Sequence, residues 1–139
     1  MSDRVKIYLA GTIYKVEPGL SWKKGLIHEL CPLNKWGEFH VESNKYNFFD
    51  PDPINEPFNY CIARDKQEIE YCDIFVAYIE HPTFGTSMEI LHAFNQQSIP
   101  VLIINPSMNY QNDLWLKYHS HLIVPTVRDC AIHIESIRF

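Results

Sequence analysis

Three acidic or hydroxyl-bearing places in the sequence invite a chemical reading. The stretch HPTFGTSMEILHAF, residues 81–94, places Glu89 just after a glycine and a run of hydroxyls, where a strand gives way to a helix. Thr86 and Glu89 have the spacing of a capping box, with Thr86 as N-cap and the Glu89 carboxylate reaching back to it. The alternative reading turns Glu89 toward a cleft as a reactive carboxylate. Thr83, Thr86 and Ser87 surround Gly85 at the same helix start, where free backbone N–H groups and the helix dipole favour an anion and a glycine lets backbone approach closely. The bland reading of that cluster is a well-capped turn. The second place is Asp65. It falls on the stripe Phe58, Ile62, Ile69, Cys72 at helical spacing. A carboxylate on an otherwise apolar face is the informative exception, because burial raises its pKa and suits it to donate a proton. Its structural alternative is a cap or a lysine pair. The third is the loop after the first strand, 11–20, which starts at Gly11 and Thr12 and is followed by Trp22 at the border of the same region.

The elements that must position these residues alternate regularly. Val5–Ala10 reads as a buried strand ended by Gly11. Ser21 caps a helix, SWKKGLIHEL. Tyr46–Phe49 is a second strand, stopped by DPDP. A helix over residues 58–72 leads to a third strand over 74–79. A helix over 86–97, a strand over 100–104, a helix over 112–119, a short strand over 121–124 and a last helix starting near Thr126 complete the order. Continuous apolar strands alternating with helices predict a parallel sheet covered on both faces: one α/β domain, residues 1–139, a doubly wound five-stranded parallel sheet of flavodoxin- or Rossmann-like type. Ligands of such sheets bind beyond the carboxyl ends of the strands at the topological switch point. With a flavodoxin-like order, the first and third strands flank that point, and the loops 11–20 and 80–85 line it.

Bulk properties exclude several classes. The chain has 139 residues, 46% of them hydrophobic, and a net charge of −5, so a non-specific grip on nucleic acid is not expected. No apolar run reaches the roughly 18 residues of a membrane span, and the start MSDRVKIYLAG does not read as a signal peptide. Cys31, Cys61, Cys72 and Cys130 form no CxxC and read as reduced thiols of a cytoplasmic protein. There is no GxxxxGK[ST] and no GxGxxG. His92, His119 and His121 lack the spacing of a metal site, so the chain is read without metal or cofactor.

Taken together, the motifs resemble the nucleoside 2-deoxyribosyltransferase family. The resemblance rests on IYLAG at residues 7–11, Trp22 opening the first helix, FFDP at 48–51, Asp65 eight residues before the CD of YCDIFVAYI, and GTSMEILHAF followed by PVLII. It covers most of the chain. It implies cleavage of the N-glycosidic bond of a 2′-deoxynucleoside through a covalent deoxyribosyl–enzyme intermediate that a second base then attacks, with Glu89 as the nucleophile, Asp65 handling the proton of the leaving base and Tyr8 orienting the glutamate. It also implies a homodimer or higher oligomer in which a neighbouring subunit completes the site, with Asn112 the matching residue. One departure stands out. Many transferases of the family carry an aspartate six residues before the nucleophile, and here that position is Thr83. Related enzymes that hydrolyse deoxynucleoside 5′-monophosphates carry a small hydroxyl residue there. Both deoxyribosyl transfer and monophosphate hydrolysis therefore remain open, as does a non-catalytic nucleotide-binding protein.

Overall fold

The strands pair in the order β2-β1-β3-β4-β5, all parallel: β1 Val5–Ala10, β2 Tyr46–Phe49, β3 Ile74–Tyr78, β4 Val101–Ile104 and β5 Leu122–Val124. This computed structural model describes residues 4–11, 22–31, 45–49 and 58–138. Thr12, the expected cap Ser21, the side chain of Phe58, most of the loop 11–20 and the DPDP stop lie outside the described residues. Helices α1 Trp22–Leu30, α2 Phe58–Tyr71, α3 Phe84–Asn95, α4 Leu114–Tyr118 and α5 Val127–Ser136 alternate with the strands. The order is the flavodoxin-like one expected, with the reversal between β1 and β3.

Two cores follow from the period-2 alternation of the strands. On one face Ile7, Leu9, Ile74, Val76, Leu102 and Ile104 pack with Trp22, Leu26 and Leu30 of α1 and with Cys130, Ala131 and Ile134 of α5. On the other face Tyr8, Ala10, Phe75, Ala77, Val101 and Ile103 pack with Ile69 of α2 and with Ile90 and Ala93 of α3. The central strands are buried on both sides, which is why they read as unbroken apolar runs. Helix α5 begins as expected: the Thr126 hydroxyl accepts from the Asp129 N–H at 3.0 Å and donates to its carboxylate at 2.8 Å. All four cysteines are free thiols. Cys31, Cys72 and Cys130 are buried, and burial pushes Cys72 and Cys130 up to about 12.

Three expectations are corrected. Ile62 is exposed rather than on a buried stripe. Burial on α2 falls on Ile69, with Cys72 just beyond the helix, because the N-terminal half of the helix stands at the carboxyl edge of the sheet and not over it. The expected helix 112–119 is reduced to the five residues of α4, and its cap is Asp113, whose carboxylate accepts from the Leu116 N–H at 2.9 Å. The cap of α3 also differs, as described below.

Asn105 ties the carboxyl ends of the strands together. It is fully buried just after β4. Its backbone N–H donates to Val124 O at 2.8 Å, its amide donates to Ile79 O at 2.8 Å and to Asn109 Oδ1 at 3.2 Å, and its Oδ1 accepts from the Tyr110 N–H at 3.0 Å. Removing the amide strands a buried carbonyl and a backbone N–H. Asn105→Ala is expected to cost about 2–4 kcal/mol in urea unfolding, at roughly 1–3 kcal/mol per group left unsatisfied.

Candidate active site

Tyr8 stands on β1 with its strand partners Phe49 on β2 and Phe75 on β3 directly beside it in register. Parallel strands about 4.8 Å apart place three same-face rings side by side. Both neighbours lie 5.4 Å from the Tyr8 ring, at interplanar angles of 28° and 11°. The phenol is 0% exposed, and this ladder leaves it one direction. Its hydroxyl donates a short hydrogen bond to Glu89 Oε2 on α3. Tyr8 is raised above the ordinary phenol value, first by burial and then by the charge and hydrogen bond of Glu89. It therefore keeps its proton and serves as a donor.

Glu89 is raised above the usual carboxylate range, chiefly by burial and further by Asp65. The Tyr8 hydrogen bond and the Lys23 charge oppose that rise. Asp65 is also raised, again chiefly by burial. The Arg64 hydrogen bond and charge, and the more distant Lys23 charge, oppose it. Arg64 donates to Asp65 Oδ1 through Nε at 3.2 Å and Nη2 at 3.1 Å, and its guanidinium lies 5.8 Å from the Phe49 ring. The partner of Asp65 is thus its neighbouring arginine and not a lysine. Both carboxylates thus resist ionisation, and the charge of Asp65 adds to the rise at Glu89.

The capping box does not form. The N-cap of α3 is Thr83, in extended conformation, whose hydroxyl oxygen accepts from the Thr86 N–H at 3.3 Å. The Thr83 carbonyl accepts from the Ser87 N–H at 3.0 Å and from the Ser87 hydroxyl at 2.7 Å. The helix starts three residues earlier than expected because Phe84 and Gly85 join its first turn. Glu89 then lies in the second turn, beyond reach of the N-cap N–H, and meets Tyr8 instead. Thr86 is buried toward the core. Gly85 precedes Glu89 by one turn on the same helix face, and a Cβ there would meet no atom within 4 Å.

Gly11 ends β1 with φ +147°, a conformation that favours glycine. A Cβ there would come within 3.1 Å of Tyr78 O and 3.3 Å of the Trp22 ring, so the missing side chain is what lets Trp22 pack on the strand end. Trp22 in turn stacks on Tyr78, with centroids 5.3 Å apart and planes at 9°. Its indole N–H is buried with no hydrogen-bond partner among the described residues. Asn112 is exposed in the turn before α4, away from Tyr8 and Glu89. Among the described residues, no three His, Cys, Asp or Glu side chains are grouped to hold a metal ion, and no helix is long and apolar enough to cross a membrane.

Sequence reading passed over Phe75, Arg64 and Lys23. Phe75 becomes meaningful only once the strand register is known. Lys23 carried a usable signal, since with Leu26, Ile27 and Leu30 it falls at i, i+3, i+4, i+7, the spacing of a buried stripe.

A cavity of about 400 Å³ lies on a different side of α3, lined by Thr83, Phe84, Met88, Leu91, Tyr110 and Trp115 among others, with none of Tyr8, Asp65 or Glu89 in its wall. The groove and the Tyr8–Glu89 contact are thus separate surfaces of α3. Phe84, at 88% exposure, and Trp115, at 79%, head a set of exposed apolar side chains that includes Met88, Leu91, Leu114 and Tyr118.

Because Glu89 is harder to ionise folded than unfolded, its ionisation opposes folding. The stability associated with its neutral form is present below the ordinary glutamate value of about 4.5 and is lost as pH rises through the higher folded value. Glu89→Gln keeps an oxygen for the Tyr8 hydroxyl. It is expected to raise the melting temperature at pH 7 relative to the wild type, with the gain vanishing near pH 4. Calorimetry at the two pH values checks the sign.

No protein-family model and no curated protein matches the sequence. Solved structures do match in shape. A 2-deoxyribosyltransferase from Bacillus psychrosaccharolyticus has a TM-score of 0.66 at 18% identity, over 97% of this chain and 93% of that one. The CMP N-glycosidase of Clostridium botulinum has a TM-score of 0.61 at 17% identity, over 94% and 97%. A conserved protein from Enterococcus faecalis V583 has a TM-score of 0.61 at 16% identity, over 96% and 98%. The chain thus has, over nearly its whole length, the fold that a 2-deoxyribosyltransferase and an N-glycosidase share.

Proposed function

We propose that this chain is an enzyme that cleaves the N-glycosidic bond of 2′-deoxynucleosides and transfers the deoxyribosyl group to another nucleobase. The observation that carries the reading is the part-buried hydrogen bond from Tyr8 to Glu89, a carboxylate that also feels the charge of Asp65. Tyr8 engages Oε2 and leaves Oε1 to react. That oxygen attacks the anomeric carbon as the bond to the base breaks, and the electron pair leaves with the base nitrogen. Asp65, whose hold on a proton burial strengthens, delivers that proton to the base. The product is a deoxyribosyl ester on Glu89. An acceptor base then attacks the same carbon, releases Glu89 as carboxylate and returns its proton to Asp65. The fold shared with a 2-deoxyribosyltransferase supports this order of events.

A second reading has support in Thr83. Its oxygen already accepts from the Thr86 N–H, which leaves the hydroxyl proton to donate elsewhere. A donor at a helix N-terminus favours a phosphate, where an aspartate would repel one. On this reading the substrate is a nucleoside 5′-monophosphate and water takes the place of the acceptor base. The CMP N-glycosidase among the structural neighbours is consistent with it.

The test offers 2′-deoxynucleosides and their 5′-monophosphates, each with and without a free acceptor base, and follows the bases by chromatography. Base exchange on unphosphorylated nucleosides supports transfer. Free base from monophosphates alone supports hydrolysis. No turnover together with tight nucleotide binding supports a binding protein and removes both enzymatic readings. Glu89→Gln is expected to lower turnover by at least about a thousandfold in a folded protein. Asp65→Asn is expected to lose roughly 10²–10⁴-fold, least for bases that leave easily.

We also infer that a second copy of the chain covers the apolar face of α3 and α4. The patch is too apolar and contiguous for free surface. Met88→Asp is expected to yield monomers in analytical ultracentrifugation and to lose most turnover. Monomeric wild-type protein at micromolar concentration overturns the inference.

A further inference from the structure

Arg64 and Asp65 are consecutive residues of α2. Consecutive residues on a helix point about 100° apart and do not ordinarily meet. Here they do. The Arg64 side chain folds back, and its Nε and Nη2 donate to the same oxygen of Asp65 at 3.2 and 3.1 Å. The guanidinium is held in that place by Phe49, at the end of β2, whose ring centre lies 5.8 Å from the guanidinium carbon. A cation near a ring face is attracted by the ring quadrupole, more strongly where water is thinned. Phe49 also stacks on Tyr8, at 5.4 Å. One aromatic ring therefore braces both the donor to Glu89 and the donor to Asp65.

The form of the contact matters. An arginine that meets a carboxylate as a fork places one N–H on each oxygen. Here both N–H groups go to Oδ1. A carboxyl oxygen has two lone pairs, and two donors occupy both. A proton on this acid therefore belongs on Oδ2. Asp65 keeps 24% of its side chain exposed, so a substrate can reach it. The other titratable and charged groups that bear on Asp65 come from the elements around it. Tyr8 of β1 remains neutral, Glu89 of α3 feels the Asp65 charge, and Lys23 of α1 comes last among the influences on Asp65, after Arg64.

We propose that Arg64, braced on Phe49, is a positioning residue that holds one oxygen of Asp65 so that the acid carries its proton on the other, the oxygen that serves the leaving base. This rests on the glycosidic reading above. As the C–N bond breaks, its electron pair goes to the base nitrogen and the Oδ2 proton goes to the base. Asp65 is left as an anion, and the guanidinium already on Oδ1 faces the new charge without moving. When an acceptor base or water attacks the anomeric carbon, its proton returns to Oδ2 and the starting state is restored. Arginine suits the place because it stays charged throughout and does not compete for the proton.

The experiment compares wild type with Arg64→Met, which keeps an apolar stem and no cation, and with Phe49→Leu, which keeps the cation and removes its brace. The carboxyl carbon of Asp65 is titrated by NMR in the intact protein, and kcat/KM is measured against pH with good and poor leaving bases. Asp65 must be protonated to act, so its ionisation sets the basic limb. In Arg64→Met the Asp65 midpoint is expected to rise by about one pH unit. The basic limb should move up with it, and kcat for poor leaving bases should fall roughly tenfold with KM little changed. Phe49→Leu is expected to shift midpoint and basic limb in the same direction by less. The acid limb, set by Glu89, reads any loss of the Tyr8 contact separately. An unmoved Asp65 midpoint in a folded Arg64→Met protein overturns the proposal. So does a moved midpoint with an unmoved basic limb, the signature of an ion pair that serves stability alone. A wild-type profile in Phe49→Leu overturns the part given to Phe49. If Arg64→Met does not fold, Arg64→Gln takes its place under the same criteria. The titration decides the hold of Arg64 on Asp65 even if no substrate turns over, so failure of the glycosidic reading is seen separately in the base-release assay.

Discussion

The hydrogen bond from the Tyr8 hydroxyl to Glu89 is the constraint around which this molecule is arranged. A carboxylate is costly to bury, and it remains at this depth only with a donor held in place. That donor is held by register. Tyr8 pairs with Phe49 on one side and Phe75 on the other, so the three rings stack and the phenol cannot swing away. A slip of one residue in β1 would turn Tyr8 to the opposite face of the sheet. Helix α3 must then lie where its second turn meets the phenol. The Thr83 cap sets that by starting the helix three residues ahead of Thr86.

Around this contact the electrostatics are balanced rather than satisfied. Burial raises both Glu89 and Asp65, and the charge of Asp65 adds to the rise at Glu89. Arg64 restrains the rise at Asp65, and Tyr8 and Lys23 restrain it at Glu89. The pair is therefore divided by its partners. Glu89 receives a neutral hydrogen bond that favours its anion, in a setting that water cannot reach freely. Asp65 lies nearer solvent, half-buried beside an arginine. Two similar groups are thus set in different surroundings.

Much of this was legible in the sequence, and the part that was not has a common cause. The alternation of apolar runs and helical stripes sufficed for the five parallel strands, because central parallel strands must be apolar on both faces, while their flavodoxin-like order was a supposition that the strand pairing bears out. The Thr126 cap was readable because cap and partner are three residues apart. The Thr86–Glu89 box had the same spacing and did not form, because a hydroxyl at position 83 offered an earlier start and a buried phenol offered Glu89 a better partner. That phenol is 81 residues away in the chain. Asp65 was singled out correctly as a carboxylate on a helical stripe, yet the stripe was drawn too long at Ile62. The sequence does not say where a helix overhangs its sheet. Lys23 was passed over because Lys23-Lys24 looks like a solvated pair, although the stripe it shares with Leu26 and Leu30 is the same kind of signal that marked Asp65.

Helix α3 carries the largest share of the design, and its faces make the demands explicit. Thr86, Ile90 and Ala93 point into the core, Glu89 points to Tyr8 with Gly85 one turn before it, and Phe84, Met88 and Leu91 point outward. At 100° per residue, Glu89 and Leu91 stand roughly 160° apart around the axis. Any partner that settles on the outward face therefore presses on the same rigid rod whose far side holds the reactive carboxylate. A shift of α3 relative to the sheet would lengthen the Tyr8–Glu89 contact before it disturbed much of the core, because a hydrogen bond tolerates only a few tenths of an ångström while apolar packing can redistribute. The groove and the carboxylate pair are separate surfaces, yet they are mechanically one element.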